Sequence, residues 1–306
     1  MVAARGFRDE RRLAVVDTEQ RLAYEARTRN RQAALALAAG IFLMLAVVIQ
    51  IGGPHVKVNE KTLGLITEDK RATRDLIGSI VAAISLFALG WTLLWLWDAA
   101  RARDPKIRPW FMGWIAVAGA AIQAVGVVVY AAAFGNAASD FVSHGSQTYP
   151  EANHLLTGGV LVAGQIANYF GLLLLAVSIV MISLNAMRVG LFTRFLGYLG
   201  IIGGVLTIIP LVPIPIVEAY WLFATAYLLS GRWPSGVPPA WSTGKAERWP
   251  SGAELRAARG QAAPPPRRRG LFAPAPAPEP EPVAAPAPAP TSTRSTTPKR
   301  KRKRRK

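Results

Sequence analysis

The feature that most constrains this chain is the way its apolar residues are gathered into blocks of roughly 20. That is the length a helix needs to cross about 30 Å of hydrocarbon at about 1.5 Å per residue. Six such blocks read as spans: 33–53, 76–97, 110–134, 155–184, 191–209 and 211–229. The expected fold is therefore all-α, a polytopic transmembrane bundle of about six helices. The fourth block is long enough that it must tilt, protrude or bend, and Gly158, Gly159 and Gly164 mark where it could bend. Pro210, Pro213 and Pro215 separate the last two blocks. Three prolines cannot all serve a helix ladder, so they read as a tight turn between two spans or as the break in one interrupted helix.

Before the first block come 32 mostly polar residues. Asp17 followed by Gln20 resembles a helix N-cap with its reciprocal partner. No glycine or proline follows until Gly40, so a helix is expected to run directly into the first span. That block starts too late and is too long for a signal-peptide core, and it reads as an uncleaved span.

Basic residues set the expected orientation. Of the 36 lysines and arginines, 31 fall in residues 1–32, 98–109, 185–194 and 231–306, which six spans place on one side. The other five lie in 54–75 beside four acids, and 135–154 carries none. By the positive-inside rule both termini are cytoplasmic in a bacterial cell membrane. Trp91, Trp95, Trp97, Trp110 and Trp114 are then expected at the cytoplasmic interface, which favours amphipathic indoles. High Ala, Arg, Pro and Gly content suits a GC-rich bacterial genome.

Past the last block the composition changes. Residues 231–260 form a juxtamembrane segment in which Arg-Trp-Pro-Ser-Gly occurs twice, at 232–236 and 248–252. Two copies build no repeat fold. Trp233, Trp241 and Trp249 read as resting among headgroups, or the repeat serves as a docking motif used twice. Residues 261–306 read as a disordered tail: a Pro/Ala spacer over 274–290, extended by about 50 Å at about 3.1 Å per residue, and a cationic tip. The tip is Lys299, Arg300, Lys301, Arg302, Lys303, Arg304, Arg305 and Lys306. With a net charge of +18 on the chain, an anionic partner is expected. The candidates are anionic lipid headgroups and nucleic acid, ribosomal RNA included; a nuclear localisation signal fits the letters but not a six-span protein. Further copies of the chain and the bilayer itself complete the expected partners.

Within the spans Glu218 is the exceptional charge. An intramembrane carboxylate is costly and points to a proton or cation site, here with Gln165, Asn168 and Gln123 as polar neighbours. Otherwise Glu218 is an interfacial residue after the proline turn, and the three amides are interhelical glue. Gly197, Gly200 and Gly204 line one helix face and allow close packing. Asp140, His144, Glu151 and His154 could together hold a metal, although their spacing matches no strong site, and no resident metal or cofactor is expected. Cysteine is absent, as are HExxH, GxSxG and Walker motifs, so no catalytic residue is assigned.

The stretch Gly190–Gly204, GLFTRFLGYLGIIGG, with Glu218, Trp221 and the Gly231-Arg232 flank, resembles the end of an uncharacterised family of six-span bacterial membrane proteins. The resemblance covers about residues 190–232 and implies a helical bundle, with no chemistry attached. The Arg-Trp-Pro-Ser-Gly repeat and the basic tail depart from it.

Two functions are expected from these features: a non-enzymatic inner-membrane anchor for a tail that engages anionic lipid or nucleic acid, or a small transporter or channel subunit using Glu218 and the polar residues of the fourth span.

Overall fold

The computed structural model describes residues 3–51, 61–209, 215–234 and 236–249, with positions 254 and 257; side chains are described from Thr18 onward. The expected tail, its cationic tip and the proline linker 210–214 lie outside the described residues. Contacts divide the chain into a unit ending at Gly252 and one beginning at Ala253, and the helical bundle belongs to the first.

Among the described residues the structure is entirely helical outside its loops. The helices are α1 (Ala3–Ile51), α2 (Lys61–Asp69), α3 (Ala72–Arg103), α4 (Met112–Ser143) and α5 (Tyr149–Leu156), then α6 (Gly159–Arg188), α7 (Arg194–Ile208), α8 (Ile216–Leu229) and α9 (Ala240–Thr243). Four of them, α1 from Thr18, α3, α4 and α6, are long and apolar enough to cross a membrane, so the chain is a multi-pass membrane protein. At 15 and 14 residues, α7 and α8 rise only about 22 and 21 Å, short of about 30 Å of hydrocarbon.

One expectation about helix ends changes: the first helix does not start at Asp17 but runs unbroken from Ala3. The fourth block is interrupted at Thr157–Gly158, at one of the three glycines where a bend is expected, leaving α5 as a separate short helix. Gly164 sits in the unbroken body of α6, where its missing side chain serves packing.

The long helices follow one another around a ring. α1 packs on α3, α3 on α4, α4 on α6, α6 on α7, α7 on α8, and α8 returns to α1. The tightest seam joins α4 and α6. A Cβ at Gly119 would lie 2.9 Å from the Leu175 nitrogen, and one at Gly164 2.8 Å from that of Tyr130. Cβ atoms at Gly126 and Gly171 would overlap the backbones of Asn168 and Gln123. These pairings keep a constant antiparallel register, with glycines seven residues apart on each helix. Gly197, Gly200 and Gly204 act similarly for α7, facing Met187, Ser183 and Val180 of α6. Thr193 caps α7, its hydroxyl accepting from the Leu196 N–H at 3.2 Å.

The far end of α4 is covered by α2 and α5, where Leu65, Phe141 and Ala152 are buried together. The opposite end of the ring is closed by the segment 236–249. Trp241 is buried, stacks on Trp95 at 5.2 Å and donates to the Leu191 carbonyl at 3.2 Å. It therefore does not rest among headgroups as expected, whereas Trp233 is half-buried, tilted against Tyr227 at 5.9 Å. Trp95 and Trp97 also turn inward, while Trp91, Trp110 and Trp114 are exposed as an interfacial belt requires.

Candidate functional site

The ring helices line a half-open cavity of about 450 Å³, to which each of the six contributes. Leu43 comes from α1, Leu86 and Leu89 from α3, Leu175 and Ile179 from α6 and Leu222 from α8, so the wall is mostly carbon. Its polar lining is confined, among the described residues, to Ser85, Gln123, Thr207 and Glu218, with the edge of Trp221. No described lysine, arginine or histidine lines it.

Local sequence explains where Glu218 stands. Pro215 is the N-cap of α8 and Glu218 lies in its first turn. The free backbone N–H groups and positive end of the helix dipole favour a carboxylate there. Thr207, near the end of α7, has its hydroxyl 2.9 Å from the Gly203 carbonyl and 3.3 Å from Glu218 Oε1, and its one proton serves one of the two at a time. The Ser85 hydroxyl is already committed to the Ala39 carbonyl, at 2.7 Å. Gln123 Oε1 is buried and has no hydrogen-bond partner among the described residues. Gly203 leaves room: a Cβ there would meet nothing nearer than 3.9 Å. Behind the cavity, Trp221 Nε1 and Ser183 Oγ converge on Gly200, and neither has a partner among the described residues.

The four polar residues singled out from the sequence thus separate. Glu218 and Gln123 line one cavity. Asn168 lines a second, of about 420 Å³, together with Gln50, Glu68, Arg71, Asp75 and Tyr130. Gln165 lines neither. The sequence reading missed Thr207, Gly203 and Trp221. One signal was available: Glu218 and Trp221 lie three apart, and therefore share a helix face.

In the second cavity Arg71 lies 3.6 Å from Asp75 and donates to the Gln50 carbonyl at 2.7 Å. Glu68, on α2 outside the long helices, is half-buried. Burial, and then the neighbouring Asp75 carboxylate, push its pKa above the usual carboxylate value; Arg71 opposes the shift.

Asp140, His144, Glu151 and His154 do not form a metal centre: among the described residues no three His, Asp or Glu side chains converge. His144 Nδ1 pairs with Ser143 Oγ at 2.7 Å, and Glu151 accepts from Ser146 at 2.8 Å.

A third polar cluster had no sequence signal at all. Arg103 and Glu25, 78 residues apart, form a bidentate ion pair of 2.6 and 3.1 Å at the end closed by 236–249. Arg103 Nε donates to the Ala240 carbonyl at 2.8 Å, and the guanidinium lies 4.8 Å from the Trp241 ring centroid. The Glu247 N–H donates to the Val189 carbonyl at 3.2 Å. Gly190, at φ +80°, lets the Glu247 carbonyl lie against it where a Cβ could not fit.

No family model matches the chain, and no curated protein or solved structure matches it.

Proposed function

We propose that the bundle is a small transporter or channel subunit of a bacterial cell membrane, working through the cavity around Glu218. The observation that carries this reading is the convergence of all six ring helices on one cavity with a carboxylate in its wall. Glu218 and Gln123 are the residues through which it acts; Asn168 and Gln165 of α6 are not in that wall. On this reading α7 and α8 complete a six-span topology with both termini cytoplasmic, in keeping with the resemblance of residues 190–232 to a six-span family. The test is flux in proteoliposomes under an imposed ion gradient, read by a potential-sensitive dye. Cation movement should exceed that of empty liposomes and fall at least tenfold in Glu218→Gln. Flux equal to empty liposomes removes the reading.

A second reading is favoured by a separate observation. Residues 236–249, which lead into the basic tail, are pinned to the end of the bundle by Trp241, Arg103 and the Glu247–Val189 bond. A non-enzymatic anchor that presents Lys299–Lys306 to anionic lipid or nucleic acid needs such a fixed point of departure. The two roles do not exclude each other.

A further inference from the structure

We propose that the Glu218 cavity binds an amphipathic organic ammonium ion, its N–H groups donating to Glu218 and its hydrocarbon body lying against the leucine wall and Trp221. The inference rests on the cavity reading above and names the ligand class.

Three features of the cavity select that class. The first is its polarity. Thr207 has its one hydroxyl proton between the Gly203 carbonyl at 2.9 Å and Glu218 at 3.3 Å, and Ser85 donates to a backbone carbonyl. A carboxylate has about four lone-pair sites, of which the Thr207 hydroxyl takes at most one. Glu218 therefore keeps acceptor capacity for a ligand that donates. The second is charge. Among the described residues, one carboxylate and no basic side chain line the cavity. An anionic amphiphile would meet repulsion, and a neutral one would leave the carboxylate unpaired against carbon, which is costly. The third is size. A volume of about 450 Å³ lies within the range of small-molecule pockets, roughly 300–1,000 Å³. A bare inorganic cation would occupy little of it. Such an ion would have to keep several of its waters to complete its oxygen shell.

The test uses the full chain in lipid nanodiscs and 2-phenylethylammonium as the probe, with 2-phenylethanol as its neutral counterpart. Calorimetric titration should show saturable binding of the ammonium ion, with the alcohol at least tenfold weaker. Glu218→Gln should weaken ammonium binding at least tenfold. Gly203→Leu keeps the carboxylate but fills the space where a Cβ meets nothing nearer than 3.9 Å, and it should weaken binding similarly while the melting transition is kept. Absence of ammonium binding by the folded wild type overturns the proposal. So does equal binding of the alcohol, or unchanged affinity in both variants. Binding without flux would sink transport and leave the site; Glu218-dependent flux without ammonium binding would sink the ligand class and leave transport.

Discussion

Arg103 has a side chain with no exposed surface, and Glu25 covers both of its terminal nitrogens. A guanidinium in that position is tolerable only while its partner is present. Removing one member of a buried pair costs about 3–5 kcal/mol, because the survivor stays charged and unpaired. Glu25→Ala should therefore lower the melting temperature of the detergent-solubilised protein sharply and expose Trp241 to quenchers. Combining Glu25→Leu with Arg103→Met should recover most of the loss. A single Glu25→Ala variant as stable as wild type would show that the pair contributes nothing to the closed end. Glu68 makes a different prediction. Its pKa is raised in the fold above 4.5, by burial first and Asp75 second. The protonated form is thus the one the fold prefers. Its contribution to stability is complete below pH 4.5 and is lost as pH rises through the raised value. Melting temperatures followed from pH 4.5 towards neutrality should fall for wild type relative to Glu68→Gln. Parallel curves would mean that Glu68 titrates alike in the folded and unfolded chain.

At the scale of helices, the seam between α4 and α6 depends on what its glycines lack. A Cβ at Gly171 would overlap the backbone nitrogen of Gln123, and backbone cannot yield as a flexible side chain can. Gly171→Ala should therefore destabilise by about 1–3 kcal/mol, the usual cost of overpacking. Gly64, in α2, has nothing within 4 Å of where a Cβ would go. There the same substitution should stabilise by up to about 1 kcal/mol through helix propensity. Thermal melts of the two variants check both signs together. This contrast also shows what the sequence could reveal. Blocks of apolar residues made the long helices legible, because span length is fixed by the bilayer and not by any partner. The glycine face of α7 was legible because its three members crowd into one short helix. The α4–α6 seam was not, since its spacing of seven acquires meaning only once the two helices are known to pair. Glu218 could be singled out because a charge in an apolar block is conspicuous. Its separation from Asn168 and Gln165 follows from helix rotation, and the depth of Trp241 from a fold-back that no periodicity encodes.

At the scale of the whole molecule, α8 packs on both α7 and α1, and the segment 236–249 meets α3 and α1 at the end where Arg103 and Glu25 pair. Thr18 and Leu22 of α1 also approach Gly244 there. If the positive-inside rule sets the orientation, that end faces the cytoplasm. A reporter active only outside the cell membrane should be active when fused at Ser146 and silent when fused after Leu229; the reverse pattern overturns the orientation. The same geometry sets the conditions under which the cationic tip can act. If residues 236–249 hold the base of the tail at the cytoplasmic face, Lys299–Lys306 is presented to headgroups and to cytoplasmic polyanions alike, and affinity alone chooses between them. Each phosphate neutralised contributes roughly −0.7 to −0.9 to the slope of log affinity against log salt. Engagement of most of the eight residues should therefore give a slope of roughly −5 to −7. The measurement takes the full chain in neutral-lipid nanodiscs, titrated with single-stranded RNA or with vesicles containing anionic lipid, at several salt concentrations. Tighter binding to RNA at physiological salt supports a tether for nucleic acid, and tighter binding to vesicles supports lipid attachment. Replacing the eight residues by serine should abolish both. Binding that survives the replacement, or that is indifferent to salt, would mean that phosphate neutralisation by the tip is not what recognises the partner.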